Sequence, residues 1–203
     1  MRIRLIGQRN NLGIGIHYTN FCDQIKRIYG LTVEEIDFTD WPAVDQAIAN
    51  SQDTDINICF VAANIHESFK GTIIQYIVFE TDRVADHILD TIRSANAVWV
   101  PSTWGQEILK KHNVESIVIP EGVDANLYNP YRFTGNNRKF RFLTVGKFEG
   151  RKSIRETIRA FAEEFGNDPA VELYVKTGHY TDDPTRLEEI RTYCDSFNLD
   201  NLI

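Results

Sequence analysis

Short apolar segments alternate with amphipathic segments along most of the chain, and this alternation restricts the fold more than any other feature of the sequence. The segments INICFVAA and IIQYIVF are continuous apolar runs rich in β-branched residues, which is typical of strands buried on both faces of a parallel sheet. Segments with apolar residues at helical spacing follow many of the strand-like runs. Repeated strand–helix units of this kind predict an α/β fold built from Rossmann-like, doubly wound parallel sheets.

Polar residues mark where several predicted helices begin. Asp40 is the predicted N-cap of a helix over WPAVDQAIAN, with Pro42 in its first turn. Thr81 or Asp82 is the predicted N-cap of a helix over RVADHILDTIRSA, and Ser102 that of the helix over TWGQEILKKHN. The apolar face predicted for the RVADHILDTIRSA helix consists of Val84, Ile88 and Ile92.

The alternation is interrupted once, which predicts two domains. Residues 1–125 are interpreted as an N-terminal Rossmann-like domain, and residues 126–139, which lack periodicity, as an interdomain linker. Residues 140–203 begin a second Rossmann-like domain with only about half as many elements, too few to cover both faces of a sheet. We expect this second domain to be incomplete and the chain to be a fragment, since NLDNLI resembles the approach to another buried strand.

Composition limits the partners and the compartment. A net charge of -7 and a pI near 5.3 argue against a nucleic-acid partner, which requires clustered excess lysine and arginine. No apolar run approaches the roughly 18 residues of a membrane span, and the N-terminus is too polar for a signal peptide. Three widely spaced cysteines fit a reducing compartment and show no metal-ligand spacing. The sequence therefore predicts a cytoplasmic protein without a metal.

A basic loop joins the predicted strand FRFLTVG to the helix SIRETIRAFAEEF. Unpaired N–H groups and the dipole at a helix start attract anions, and glycines let a ligand approach the backbone. Lys147 and Lys152 lie on either side of the turn and would converge on one anion of about pyrophosphate size. The alternative is a set of solvated surface cations, with Arg151 paired to Glu149 or Glu156. The loop contains two glycines and three cations, Gly146, Lys147, Gly150, Arg151 and Lys152.

Four segments, in this order along the chain, resemble motifs of retaining glycosyltransferases of the two-Rossmann GT-B fold, glycosyltransferase group 1 or family 4-like. NNLGIG is similar to the glycine-rich loop after the first strand, and VFETDRV to an acceptor-side segment of some members. AVWVPSTWGQEILKKHNVESIVIPEGVDANLYNP resembles the family's strand, helix, strand and crossover, and FLTVGKFEGRKSIRETIRAF the opening of its C-terminal domain.

This resemblance implies an enzyme that transfers a hexose, with retention, from a nucleotide sugar to a glycan, lipid or protein acceptor. Lys147 matches the family's arginine or lysine and Lys152 its lysine, so both would hold the donor pyrophosphate. Gly13 and Gly15 would let the N-terminal loop approach the same phosphates. The nucleotide sugar is a substrate, so the resemblance implies no cofactor and no metal.

The chain departs from the family at three places. Lys147 keeps the charge of an arginine but gives up its bidentate geometry. Glu121 stands where the family usually has asparagine, and we expect little effect on chemistry there. The acidic pair that binds the donor's sugar and ribose has no counterpart, so we expect the fragment alone to be nearly inactive.

Candidates for the acceptor side follow predicted strands, where ligand crevices of open α/β sheets lie. Glu80 and His66 are the catalytic candidates. The acceptor-binding candidates are Thr81, Asp82, Arg83 and His17. A helix cap with local charge pairing is the plainer interpretation of residues 81–83, and a surface-loop histidine that of His66.

Two other functions stay open. The first is a non-catalytic relative that binds a glycan or a partner subunit through its N-terminal domain. The second is an unrelated Rossmann-type nucleotide binder, with Asp37 on a ribose, although NNLGIG lacks the third glycine of the dinucleotide fingerprint. Peripheral membrane contact and oligomerisation are also left open.

Overall fold

The computed structural model of the chain describes residues 2–10, 12–60, 68–129, 139–178 and 184–203. The chain divides into two compact units, Met1–Ala125 and Asn126–Ile203. Most of the predicted linker, 126–139, lies outside the described residues. Within the described residues, no helix combines the length and the apolar character that a membrane span requires.

The first unit is a six-stranded sheet in which every pairing is parallel, in the order β2-β1-β3-β4-β5-β6. This architecture confirms the predicted α/β class with a doubly wound parallel sheet. Its strands are β1 (Ile3–Gly7), β2 (Val33–Asp37), β3 (Ile56–Cys59), β4 (Thr72–Tyr76), β5 (Ala97–Val100) and β6 (Ile117–Val118). Its helices are α1 (Gly13–Tyr29), α2 (Trp41–Ala49), α3 (Asp86–Ser94) and α4 (Thr103–Lys111).

Successive residues of β1 point into different hydrophobic clusters, because side chains alternate across a strand. Leu5 and Ile6 are both fully buried. One cluster contains Leu5, Tyr18, Cys22, Ile58, Phe60 and Tyr76. The other contains Ile6, Ile36, Val44, Ala47, Cys59, Phe69 and Ile73. Burial on both faces explains why apolar residues stand next to each other in β1 and β3.

The strand order creates a topological switch point between β1 and β3. From β1 the chain moves to β2 on one side and then returns to place β3 on the other side. Connections that leave neighbouring strands in opposite directions open a crevice outside their carboxyl ends, and ligands of open α/β sheets bind there. The residues after β1 and β3 are therefore where a site is expected.

Two predicted helix starts are confirmed and one is wrong. Asp40 accepts a hydrogen bond from the backbone N–H of Ala43 at 3.2 Å, and Ser102 accepts one from Gly105 at 3.2 Å. The third helix begins at Asp86, with Ala85 as an N-cap that makes no side-chain hydrogen bond. Thr81 Oγ1 instead accepts from the N–H of Arg83 at 3.2 Å, a local turn that competes with helix formation.

The later start of α3 also changes its predicted apolar face. Val84 precedes the helix, whereas Ile88 and Ile92 lie within it, as predicted. Leu89 and Ile92 are buried residues of α3, so Leu89 joins Ile92 on the buried side of the helix.

The second unit contains two parallel strands, β7 (Phe140–Lys147) and β8 (Val171–Gly178), with helices α5 (Ile154–Phe165) and α6 (Pro184–Asp195). Ile154, Ile158 and Phe161 lie on one face of α5 and are all buried. Leu202 in the segment NLDNLI forms an isolated parallel bridge with Leu173 of β8, consistent with the strand-like character predicted for that segment.

Candidate functional site

His17 lies at the switch point of the first unit. It belongs to α1, which follows β1, and its ring packs on Phe60, the residue directly after β3, with 5.5 Å between ring centroids. Tyr76 at the end of β4 is closer, at 4.6 Å, and Phe21 lies one helical turn away at 6.4 Å. Three aromatic rings therefore fix the imidazole at the carboxyl ends of β1, β3 and β4.

The two ring nitrogens of His17 have different surroundings. Nδ1 lies 3.9 Å from Oε1 of Glu121, and the two side chains are 14% and 48% exposed. Nε2 is buried and has no hydrogen-bond partner among the described residues. Burial lowers the pKa of His17 from its ordinary value, and the nearby carboxylate of Glu121 opposes this only in part. The imidazole is therefore neutral at neutral pH.

Tyr76 connects this aromatic cluster to the segment that carries Glu121. Its hydroxyl donates a hydrogen bond to the backbone carbonyl of Ile119 at 3.3 Å, two residues before Glu121. Burial, assisted by the carboxylate of Glu121, raises the pKa of Tyr76 to about 12. Tyr76 thus packs against the ring of His17 and also hydrogen-bonds the backbone two residues before Glu121.

Gly13 and Gly15 lie in the first turn of α1 rather than in a loop before it. A Cβ on Gly15 would stand 2.1 Å from Oδ1 of Asn10, whereas a Cβ on Gly13 would meet no atom of the described residues within 4 Å. Asn10 Oδ1 accepts a hydrogen bond from the N–H of Leu12 at 2.8 Å, so it holds the entry to the helix. Close packing therefore accounts for Gly15, and Gly13 borders open space. The phosphate role of both residues stays a prediction.

The acceptor-side candidates after β4 form an exposed segment. Glu80, Thr81, Asp82 and Arg83 are all exposed, and the hydrogen bond from Arg83 to Thr81 is internal to this segment. Their roles stay predictions. His66 lies outside the described residues.

Asp37, the residue considered for a ribose, is engaged locally. Its Oδ1 accepts hydrogen bonds from the backbone N–H of Thr39 at 2.9 Å and from the hydroxyl of Thr39 at 2.7 Å. A turn at the end of β2 thus accounts for this carboxylate.

The basic loop brings Lys152 back over the end of β7. A Cβ on Gly146 would lie 3.5 Å from both Cβ and Cγ of Lys152, so the lysine stem packs on the glycine. Lys147, the next residue, is half-buried, whereas Lys152 is exposed. The structure therefore places both lysines next to Gly146 at the carboxyl end of β7.

The other cations near this loop have neighbours of their own. Arg151 donates to Oε1 of Glu149 at 3.1 Å, which is the pairing that the surface-cation alternative predicted for this residue. The guanidinium of Arg155 stacks on the rings of Phe148 and Tyr193, at 4.5 and 4.6 Å from their centroids. Arg151 and Arg155 are thus both engaged with neighbouring side chains.

The start of α5 has an unusual backbone. Ser153 is its N-cap and adopts φ 50° and ψ 32°, the left-handed region that favours glycine, and its side chain makes no capping hydrogen bond. The first backbone N–H groups of the helix consequently lack the side-chain acceptor that an N-cap usually supplies. The partial positive charge of this helix end adds to that of Lys152.

The sequence did not identify three residues of the His17 cluster, namely Phe60, Tyr76 and Glu121. Phe60 and Tyr76 stand at the ends of apolar runs, where they are indistinguishable from ordinary core residues. Glu121 was noted only as a departure from the asparagine of the family, with little effect expected. Its contact with His17 shows that the departure changes the electrostatics of the first unit.

No protein-family model matches the chain. No curated protein matches its sequence. Solved structures do share its fold. An E. coli structure described as trehalose-6-phosphate bound with UDP-2-fluoro glucose has a TM-score of 0.66 at 10% identity, over 97% of this chain and 69% of that one. An α,α-trehalose-phosphate synthase (UDP-forming) from Burkholderia vietnamiensis has a TM-score of 0.65 at 10% identity, over the same shares.

A GtfA/B complex has a TM-score of 0.50 at 15% identity, over 76% of this chain and 35% of that one. At such identities these likenesses show the fold alone. They confirm the predicted GT-B type of fold, an α/β arrangement with Rossmann-like parallel sheets.

Proposed function

We propose that the chain belongs to a glycosyltransferase that moves a hexose, with retention, from a nucleotide sugar to a glycan, lipid or protein acceptor. The observation that carries this proposal is the position of Lys147 and Lys152 beside Gly146, between β7 and the uncapped start of α5. A protein of the same fold is described as bound with UDP-2-fluoro glucose, a nucleotide-sugar analogue.

The chemistry of sugar transfer fits these groups. Cleavage of the bond between sugar and phosphate develops negative charge on the leaving diphosphate. Two ammonium groups and a helix start stabilise that charge more in the transition state than in the ground state, which is what accelerates a reaction. No metal is needed for this role, because the fixed cations already supply the positive charge.

The acceptor side is assigned to the first unit. We assign Glu80 and His66 to catalysis, and Thr81, Asp82, Arg83 and His17 to acceptor binding, because they follow strands of the parallel sheet. Gly13 and Gly15 are assigned to the approach of the donor phosphates.

The likeness to a GtfA/B complex supports association with another subunit. Three free cysteines, two of them buried, suit the cytoplasm.

Binding of inorganic pyrophosphate tests the phosphate assignment without knowledge of the nucleotide. Lys152→Ala should weaken pyrophosphate binding by about tenfold to a hundredfold, since a charge-assisted hydrogen bond contributes about 1.5–3 kcal/mol. Arg151→Ala is the matched control, because its guanidinium is paired with Glu149, and it should bind nearly as the wild type does. Calorimetric titration of the three proteins measures the difference.

Two outcomes would count against the proposal. Unchanged pyrophosphate binding in Lys152→Ala would remove the donor-phosphate assignment. A chain that binds saccharides but neither pyrophosphate nor a nucleotide sugar would instead support the non-catalytic binding module.

A further inference from the structure

The space between His17 and Glu121 has the dimensions of a hydroxyl-binding site. The 3.9 Å between Nδ1 and Oε1 is too long for a direct hydrogen bond. An oxygen atom placed about 2.8 Å from both atoms would complete a hydrogen-bonded bridge, with an angle near 90° at that oxygen. A hydroxyl group suits this position because it accepts one hydrogen bond and donates another.

We propose that this His17–Glu121 gap binds a hydroxyl group of a neutral carbohydrate, the acceptor of the transfer reaction. The N–H at Nδ1 of His17 donates to the hydroxyl oxygen, and the hydroxyl proton is donated to the carboxylate of Glu121. The inference rests on the proposed function for its link to catalysis, but the binding step is independent of the donor.

The surroundings of the imidazole determine which nitrogen carries the proton. Within the part of the chain that the structure describes, Nε2 is buried without a hydrogen-bond partner, and Nδ1 lies 3.9 Å from a carboxylate oxygen. A proton on Nε2 would be a buried donor without an acceptor, whereas a proton on Nδ1 points toward negative charge. The neutral ring therefore carries its proton on Nδ1. This tautomer supplies the donor that the gap requires.

The rings around His17 keep this donor in place before any ligand binds. Tyr76 and Phe60 contact the imidazole and stack on each other, with 5.2 Å between their centroids. Both are almost completely buried. The hydroxyl of Tyr76 also fixes the carbonyl of Ile119, near Glu121. Tyr76 therefore packs against the ring on one side of the gap and hydrogen-bonds the backbone near the other side.

The charge of the gap selects the class of acceptor. Among the residues that the structure describes, the titratable groups in contact with the ring are Glu121, which lies beside Nδ1, and Tyr76, which is neutral because its pKa is raised to about 12. The carboxylate of Glu121 is half exposed, so it would repel a phosphate or carboxylate that entered here. The gap therefore favours neutral sugar hydroxyls over sugar phosphates.

Imidazole NMR resonances of His17 provide the test, with maltose and glucose 6-phosphate as the probes. Maltose at millimolar concentration should shift these resonances in the wild-type chain, and glucose 6-phosphate should not. Glu121→Ala should weaken the maltose response by about tenfold, equivalent to about 1.4 kcal/mol. Glu121→Gln replaces the carboxylate with a neutral amide of similar size, whose oxygen still accepts a hydrogen bond. This variant should therefore keep most of the maltose response, and it should respond more strongly to glucose 6-phosphate than the wild type does.

Glu115→Ala is the matched control, because it removes an exposed carboxylate from the opposite, amino end of β6. It should respond to both probes as the wild type does. Three results would each overturn the inference: no His17 response to maltose, an equal response to glucose 6-phosphate, or an unchanged maltose response in Glu121→Ala. Pyrophosphate binding through Lys152 is measured separately, so failure of the proposed function is distinguishable from failure of this inference.

Discussion

Nη1 of Arg4 lies 2.9 Å from Oδ2 of Asp55, and both side chains are almost completely shielded from solvent. Nε of the same guanidinium donates to Glu34 at 2.9 Å, and Nη1 also approaches Oδ1 of Asn57 at 3.3 Å. Arg4 stands in β1, Glu34 in β2 and Asn57 in β3, so one buried cation connects the three strands that define the switch point.

Asp55 should make the stability of the first unit depend on acid pH. Burial alone would raise its pKa, but hydrogen bonds from the backbone of Gln52 and Arg2 and from Arg4 outweigh this effect and lower it. A carboxylate with a lowered folded pKa stabilises the native state above its unfolded pKa of about 3.9, and this contribution disappears as pH falls through the folded value.

Asp55→Asn is therefore expected to lower the urea midpoint at neutral pH, because it leaves the charge of Arg4 without its buried partner. The wild type and the variant should converge as pH falls below about 4. Part of the acid sensitivity should survive in the variant, since hydrogen bonds from Arg9 and then Lys26 hold the pKa of Glu35 at about 2. Parallel urea curves at all pH values would contradict the role of Asp55.

Ser153→Gly should stabilise the second unit. Ser153 has φ 50°, a conformation that costs a residue with a Cβ about 1 kcal/mol and glycine almost nothing. The backbone carbonyl of Ser153, which accepts hydrogen bonds from the N–H and the hydroxyl of Thr157, is unchanged by the substitution. The expected gain is about 1 kcal/mol in the free energy of unfolding, measured by urea denaturation.

Ser153→Ala is the control, since it removes the hydroxyl and keeps the Cβ. It should show no gain. If alanine and glycine stabilise the chain equally, the effect comes from the lost hydroxyl and not from the backbone.

Gly13→Ala and Gly15→Ala should have opposite effects on the first unit. A Cβ on Gly15 would stand 2.1 Å from Oδ1 and 2.9 Å from the backbone oxygen of Asn10, so crowding should cost about 1–3 kcal/mol. A Cβ on Gly13 would meet no atom of the described residues within 4 Å, and alanine should stabilise the helix by about 0.5–1 kcal/mol. Thermal unfolding distinguishes them; equal destabilisation would mean that the first turn of α1 differs from the one described.

The alternation of apolar runs predicted the sheet because consecutive residues of a strand buried on both faces, such as Leu5 and Ile6, are mostly apolar. Arg4 in the same strand is a buried exception that needs partners for its charge. Polar residues that can cap a helix were a less reliable guide to where helices begin. Asp40 and Ser102 do cap helices, but Thr81 forms a turn with Arg83, because the same hydroxyl serves either structure.

Contacts between distant segments were inaccessible to sequence reasoning. His17 was a candidate because it follows the glycine-rich segment. No sequence pattern predicted that Glu121, about a hundred positions later, would lie beside its ring. That contact follows from the positions of α1 and of the segment after β6 on the folded sheet. Within the basic loop the sequence did predict that Lys147 and Lys152 converge, but the packing of the Lys152 stem on Gly146 depends on the exact path of the turn between β7 and α5.

Glu121→Gln should lower the pKa of His17 further below its ordinary value. Burial lowers this pKa, and the carboxylate of Glu121 is the cause that opposes burial, so its removal leaves burial unopposed. The unfolded state then binds a proton before the folded state as pH falls below about 6.5. Stability should decline with decreasing pH through the window between 6.5 and the folded pKa, and this window should be wider in the variant than in the wild type. Titration of the imidazole resonances of His17 measures this pKa directly. In the control Glu115→Ala, His17 should titrate as it does in the wild type. A raised or unchanged pKa of His17 in Glu121→Gln would show that the carboxylate of Glu121 does not act on the ring.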